Sequence, residues 1–157
     1  MKESRTIKKV KINSKGGVNV VYDIISDGDL QTVVFQSDDE PLQSFYDAME
    51  ALKTTVQRIC EYTDKYMDTL RVSGLSIFVK KERRSVTIHA IKDLESAHRP
   101  LNIHTPLLDE PNDESEEGDP MTLIPDDVSR IQHVIAEAEK YLKGKRAPKP
   151  EQLSLVS

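Results

Sequence analysis

SDDEPLQSFYDAMEALKTTVQRICEY, residues 37–62, decides the fold. Leu42, Phe45, Met49, Leu52, Val56 and Ile59 recur in it at spacings of three and four, the period of a helix with one apolar face. Ser37-Asp38-Asp39-Glu40-Pro41 puts acids where a helix dipole is positive, and Pro41 suits the first helical position. The pattern predicts one amphipathic helix running to about Tyr62. It is too short for a coiled coil and is expected to pack on a sheet.

Upstream, residues 5–12 alternate Ile7, Val10 and Ile12 with basic residues, as a half-exposed strand does. Ser14-Lys15-Gly16-Gly17 turns the chain into a second strand, Val18 to Ile25, and Asp27-Gly28-Asp29 turns it into a third, Leu30 to Gln36. Downstream, Leu70 to Lys80 reads as a strand in which Gly74 marks a bulge or bend. Lys81-Glu82-Arg83-Arg84 then turns the chain, and Ser85 to Ile91 returns with Val86, Ile88 and Ala90 on one side. Pro100-Leu101-Asn102-Ile103-His104-Thr105-Pro106 reads as a short edge strand between prolines. Pro125-Asp126-Asp127 repeats the acidic helix start. Ile124, Val128, Ile131, Ile135, Ala138 and Leu142 line one face of that helix, with Gly144 as its cap.

The expected fold is therefore α+β, an antiparallel sheet in βββ-α-βββ-α order with two amphipathic helices packed on it. Residues 1–146 form a single domain in this reading. Residues 109–121, DEPNDESEEGDPM, make a mobile acidic loop, and residues 147–157 form a flexible C-terminal tail.

Charged residues make up 31% of the 157 and apolar residues 37%, so the expected core is modest. The net charge of −5 disfavours a globally basic nucleic-acid binder, and the absence of Trp with only 5% aromatics disfavours a base-stacking platform. Positive charge is nevertheless clustered in residues 2–15, in Lys80 to Arg84 and in Lys140 to Lys149. Cys60 is the one cysteine, so no intrachain disulfide can form, and it is expected to be a small buried hydrophobe. No apolar run approaches a bilayer span and no signal core precedes the domain, so the expected location is cytoplasmic.

Catalytic signatures are missing. Gly16-Gly17 lacks the following helix of a phosphate loop, no glycine-flanked nucleophile occurs, and the acidic loop lacks calcium-ligand spacing. His89, His98, His104 and His133 are not spaced as metal pairs, although His98 and His104 could converge with Asp93 or Glu95. The expectation is a non-enzyme with no catalytic residues, no metal and no cofactor. Basic residues offer more. Lys9 and Lys11, with Lys8, sit on the exposed face of the first strand, and Arg83 and Arg84 at a neighbouring hairpin would extend that face toward the phosphates of DNA.

The tail carries a basic, proline-spaced linker, Lys145-Arg146-Ala147-Pro148-Lys149-Pro150-Glu151, followed by Gln152-Leu153-Ser154-Leu155-Val156-Ser157. Apolar residues held on a polar arm fit a peptide that docks in a partner's groove. Gln152 to Val156 resembles the bacterial sliding-clamp binding motif, usually Gln-Leu-Ser/Asp-Leu-Phe. That resemblance implies that Gln152 fills a polar pocket of the clamp while Leu155 and Val156, with Leu153 beside them, meet its hydrophobic cleft. Val156 stands where phenylalanine is usual. The alternative is that the tail returns as an edge strand on its own sheet.

More broadly, the basic hairpin at Ile7-Lys8-Lys9-Val10-Lys11, the Pro100–Pro106 segment, the helix Ala136-Glu137-Ala138-Glu139-Lys140-Tyr141-Leu142 and the Gln-Leu-x-Leu ending resemble a family of small, uncharacterised bacteriophage and prophage proteins. The resemblance implies a bacterial host cell and transfers no catalytic residue. Together these features point to a non-enzymatic accessory of phage DNA replication or recombination, binding nucleic acid or a replication protein such as the sliding clamp. The alternatives are a phage inhibitor that sequesters a host factor or defence signal, and a homo-oligomer paired through a sheet edge or the tail.

Overall fold

The computed structural model describes residues 4–80, 83–94, 96, 99–111, 119 and 121–148. Three strands come first: β1 (Ser4–Ile12), β2 (Val18–Ser26) and β3 (Asp29–Ser37). Helices α1 (Gln43–Ala51), α2 (Lys53–Cys60) and the single turn α3 (Asp64–Met67) follow. The long strands β4 (Leu70–Lys80) and β5 (Arg83–Lys92) lead to β6 (Leu101–His104) and the two-residue β7 (Leu108–Asp109), and α4 (Pro125–Leu142) closes the order. The strands make one seven-stranded sheet in the order β3-β2-β1-β4-β5-β6, with β7 also pairing β5. All pairings between these strands are antiparallel, β7 adds an isolated parallel bridge from Asp109 to Thr122, and the fold is α+β.

One face of the sheet is covered. Val10, Val18, Val20, Leu75, Ile77, Val86, Ile88 and Leu108 meet Phe45, Met49, Leu52 and Val56 of the early helices and Ile131, Val134, Ala138 and Tyr141 of α4 in one continuous core. Bulges keep that face in phase: register shifts between Ile7 and Lys9 in β1 and between Val72 and Gly74 in β4 return apolar residues to the helix side.

The predicted helix over 42–62 differs in three ways. It begins at Gln43 with no acid in its first turn. Pro41 instead forms an antiparallel bridge with Arg146, while Asp39 accepts from the Arg146 guanidinium at 2.8 Å and its carbonyl accepts from the Tyr141 hydroxyl. Of these acids, Asp39 therefore holds the end of α4 rather than starting α1, while Asp38 lies 3.8 Å from Lys15. The helix is also divided at Leu52, whose N–H turns to Met49 at 3.1 Å, and the extra turn α3 follows, its start capped by Thr63.

At the other helix Ile124 is exposed rather than packed. Its predicted place in the apolar stripe is taken by Asp127, which is fully buried. The Asp127 carboxylate accepts from Thr55 at 2.6 Å and Arg130 at 3.1 Å, pairs with Arg58, and caps the helix through the Ile124 N–H at 3.1 Å. Buried Glu137 is likewise satisfied: burial raises its pKa, but hydrogen bonds from Lys140 and Ser44 outweigh this and hold it below the usual carboxylate value. The acidic loop is more ordered at its ends than predicted, because Leu108–Asp109 is a strand and the Asp109 N–H donates to Met121 at 3.0 Å. Residues 112–118 and 120 of that loop lie outside the described residues.

The two halves of the sheet meet at a narrow seam. β1 and β4 pair only through Lys9–Ser76, Val10–Leu75 and Lys11–Gly74. A Cβ on Gly74 would stand 2.8 Å from the Val10 carbonyl oxygen, so only glycine permits this approach. Gly74→Ala is expected to destabilise the fold by about 1–3 kcal/mol, read as a lower urea midpoint, and an unchanged midpoint would show that the seam tolerates separation.

Candidate functional site

The seam also sets out the polar side chains on the sheet face that no helix covers. In β5 the buried residues Val86, Ile88 and Ala90 alternate with Ser85, Thr87, His89 and Ile91, which point to the opposite face. Register then aligns Lys11, Gly74, His89 and His104 in one row across β1, β4, β5 and β6. The adjoining row is Lys9, Ser76 and Thr87. With no side chain on Gly74, Lys11 and His89 face each other across about 10 Å, two strand spacings.

Three of these residues, Ser76, His89 and His104, are in contact. The Ser76 hydroxyl lies 2.7 Å from His89 Nε2, and His89 Nδ1 lies 2.6 Å from His104 Nδ1. The two rings meet edge to face, with centroids 4.7 Å apart. Two proton arrangements satisfy the chain. Either Ser76 donates to His89 and His89 donates to His104, or His104 donates to His89 and His89 donates to Ser76. Both need one proton between the two Nδ1 atoms, and two would repel. Burial, the neighbouring His104, Lys9 and Lys11 together lower the His89 pKa from 6.5 to about 4. At neutral pH the ring is therefore an uncharged hydrogen-bonding group.

Lys9 and Lys11 are exposed on this face and have no ion-pair partner among the described residues. Lys8, at the β1 bulge, lies 3.8 Å from Asp23, which also accepts from Thr32 at 2.7 Å. The two arginines separate. Arg83 points to the helix-free face but lies at the far end of β5, 3.6 Å from Asp109 and donating to the Glu110 carbonyl at 3.2 Å. Arg84 points to the helix side, where it holds the Glu110 carboxylate at 2.6 Å and Gln132 at 3.1 Å. Of the basic group expected from the sequence, the structure thus brings Lys9 and Lys11 together and sets Lys8, Arg83 and Arg84 apart in acid-paired positions. Gln152, Leu153, Leu155 and Val156 lie outside the described residues, as does His98. His104 meets His89 rather than Asp93, which faces Arg71 at 4.0 Å.

His89 and Ser76 were not singled out in the sequence. Alternation in β5 was the available signal, since it puts His89 opposite a buried stripe. Its pairing with His104 needed the β5–β6 register as well.

Beyond Lys11 and Gly74 the strands part. The end of β1 and the start of β4 then enclose a groove of about 670 Å³, with Lys11, Asn13 and Arg71 at its sides and Tyr46, Met49 and Glu50 of α1 in its floor. Cys60 is half-buried rather than fully buried, and burial raises its thiol pKa, which makes it less reactive. Among the described residues no cluster of three or more His, Cys, Asp or Glu is placed to hold a metal ion, and no helix is long and apolar enough to cross a membrane.

Compared with known proteins, the chain matches no family model, no curated protein and no solved structure.

The lowered His89 pKa fixes a pH dependence. Between about 6.5 and about 4 the unfolded chain binds a proton at this ring that the folded chain refuses. Stability contributed by the neutral ring is therefore complete above that window, falls as pH drops through it, and levels off below. His89→Gln should flatten that part of the curve of urea midpoint against pH. If the curve is unchanged, another group is responsible.

Proposed function

We propose that this chain binds the phosphate backbone of nucleic acid through the helix-free face of its sheet, as a non-enzymatic accessory of phage DNA replication or recombination. The observation that carries the reading is that Lys9 and Lys11, with no ion-pair partner among the described residues, stand beside Ser76 and the His89–His104 pair at the seam. A phosphate there would meet two ammonium groups and one further donor, the Ser76 hydroxyl or the His104 N–H according to which of the two proton arrangements the chain adopts. Such contacts fix position on a backbone without reading sequence.

A hydrolytic role for the same serine and histidines is less well supported. A general base works best with a pKa near ambient pH, and a value of about 4 makes His89 a weak one. Ser76 lies within a strand paired on both sides, so its neighbouring amides are engaged in the sheet rather than grouped as an oxyanion hole. The resemblance to small phage proteins supplies the setting of the proposal, with Gln152, Leu153, Leu155 and Val156 as the segment offered to a sliding clamp or another replication protein. Sequestration of a host factor is not favoured by the groove beside Lys11, which offers one arginine, Arg71, against Glu50.

Binding to a fluorescent oligonucleotide, single- and double-stranded, measured by anisotropy over a range of salt, tests the reading. Lys9→Ala with Lys11→Ala should weaken binding at low salt and lower the slope of log K against log salt by about 1.5. Arg84→Gln, on the opposite face, should leave both unchanged. Equal binding by all three proteins, or none by the unaltered chain, would remove the phosphate surface.

A further inference from the structure

Strand β3 lies at the edge of the sheet and, among the described residues, pairs only with β2. The turn that joins them has two residues, both at positive φ, Asp27 at 53° and Gly28 at 83°. In such a hairpin the flanking residues Ser26 and Asp29 exchange both hydrogen bonds, so Gln31, Val33, Phe35 and Ser37 also aim their amides at β2. The N–H and C=O groups of Leu30, Thr32, Val34 and Gln36 then face the free edge. On the helix-free side of that edge Leu30 and Val34 are 65% and 61% exposed.

The chain leaving α4 heads for this edge. Arg146 forms an antiparallel bridge with Pro41, and the Ala147 N–H donates to the Glu40 carbonyl at 2.9 Å. Carried past the bend at Asp39 without a shift, this register sets Pro148 opposite Asp39, Pro150 opposite Ser37, Leu153 opposite Val34 and Leu155 opposite Thr32. Three features of the sequence agree with it. Both prolines fall where an N–H would point away from β3, so neither loses a ladder bond. Leu153 and Leu155 fall on the helix-free side, beside exposed Val34 and Leu30. Lys149 falls opposite Asp38.

We propose that residues 149–157 of this chain dock antiparallel on the free edge of β3 and complete the sheet with an added strand. The proposal stands apart from the phosphate reading. While docked, Gln152 to Val156 is covered, and a partner that takes this segment must first peel it from β3.

Amide hydrogen exchange on the full chain, resolved by residue, tests the docking with two proline variants. The amides of Thr32, Val34 and Gln36 should exchange at least about tenfold more slowly than free amides. Leu155→Pro removes an N–H that the register aims at β3 and should abolish that protection. Ser154→Pro removes one aimed at solvent and should keep it. Val33 and Phe35, bonded to β2, should stay protected in all three proteins and report that each is folded. Free exchange of Thr32, Val34 and Gln36 in the unaltered chain would overturn the proposal. So would protection that survives Leu155→Pro, as expected if a second copy covers the edge, or equal loss in both variants.

Discussion

Within the sheet, one half is hydrogen-bonded to the other through the contact between β1 and β4. Each half of the sheet, β3-β2-β1 and β4-β5-β6, is joined within itself by extensive antiparallel pairing, but the halves share three residue pairs. Gly74 sets the spacing of that contact, because any side chain there would press on the Val10 carbonyl. The same absence of a Cβ opens the floor between Lys11 and His89. One residue therefore joins the two halves beneath the helices and shapes the polar row on the other face. Where the pairing ends the strands part, which forms the groove above Tyr46 and Met49.

Polar groups join apolar ones in holding the helical layer to itself and to the sheet. Asp127 ties α4 to α2 through Thr55 and Arg58, and Glu137 ties it to α1 through Ser44. Arg146 then stacks over Tyr141 and Phe35 and pairs with Asp39, fastening the end of α4 to the end of β3. Among the described residues no buried side-chain nitrogen or oxygen lacks a partner, so burying these charges leaves no unmet hydrogen bond in the core.

Local signals made the elements legible and non-local ones did not. Alternation located the long strands to within a residue or two at most ends, and three-four spacing found both major helices, because those patterns record which side of each segment is buried. The α+β class follows from their order. Pairing between β1 and β4 brings together segments distant in sequence, and only Gly74 hinted at a special position there. Short β7 carries too few residues to show a period. Asp127 misled the stripe of α4 because a buried, fully bonded acid looks the same in sequence as an exposed one. Of the site, Lys9 and Lys11 were readable from strand alternation. Arg84 was not, since its side of the sheet depends on where the β4–β5 turn places it, and His89 needed His104 from another strand to become notable.

The seam also orders events in time as well as space. Pairs within each half connect segments close along the chain and can close quickly. Lys9 and Ser76 are separated by two strands and three helices, so joining them requires closing the longest loop in the sheet. The hairpins can form early, but the shared core cannot be sealed until β1 finds β4. The three pairs of the seam therefore carry the largest loop-closure cost of any pairing in the sheet.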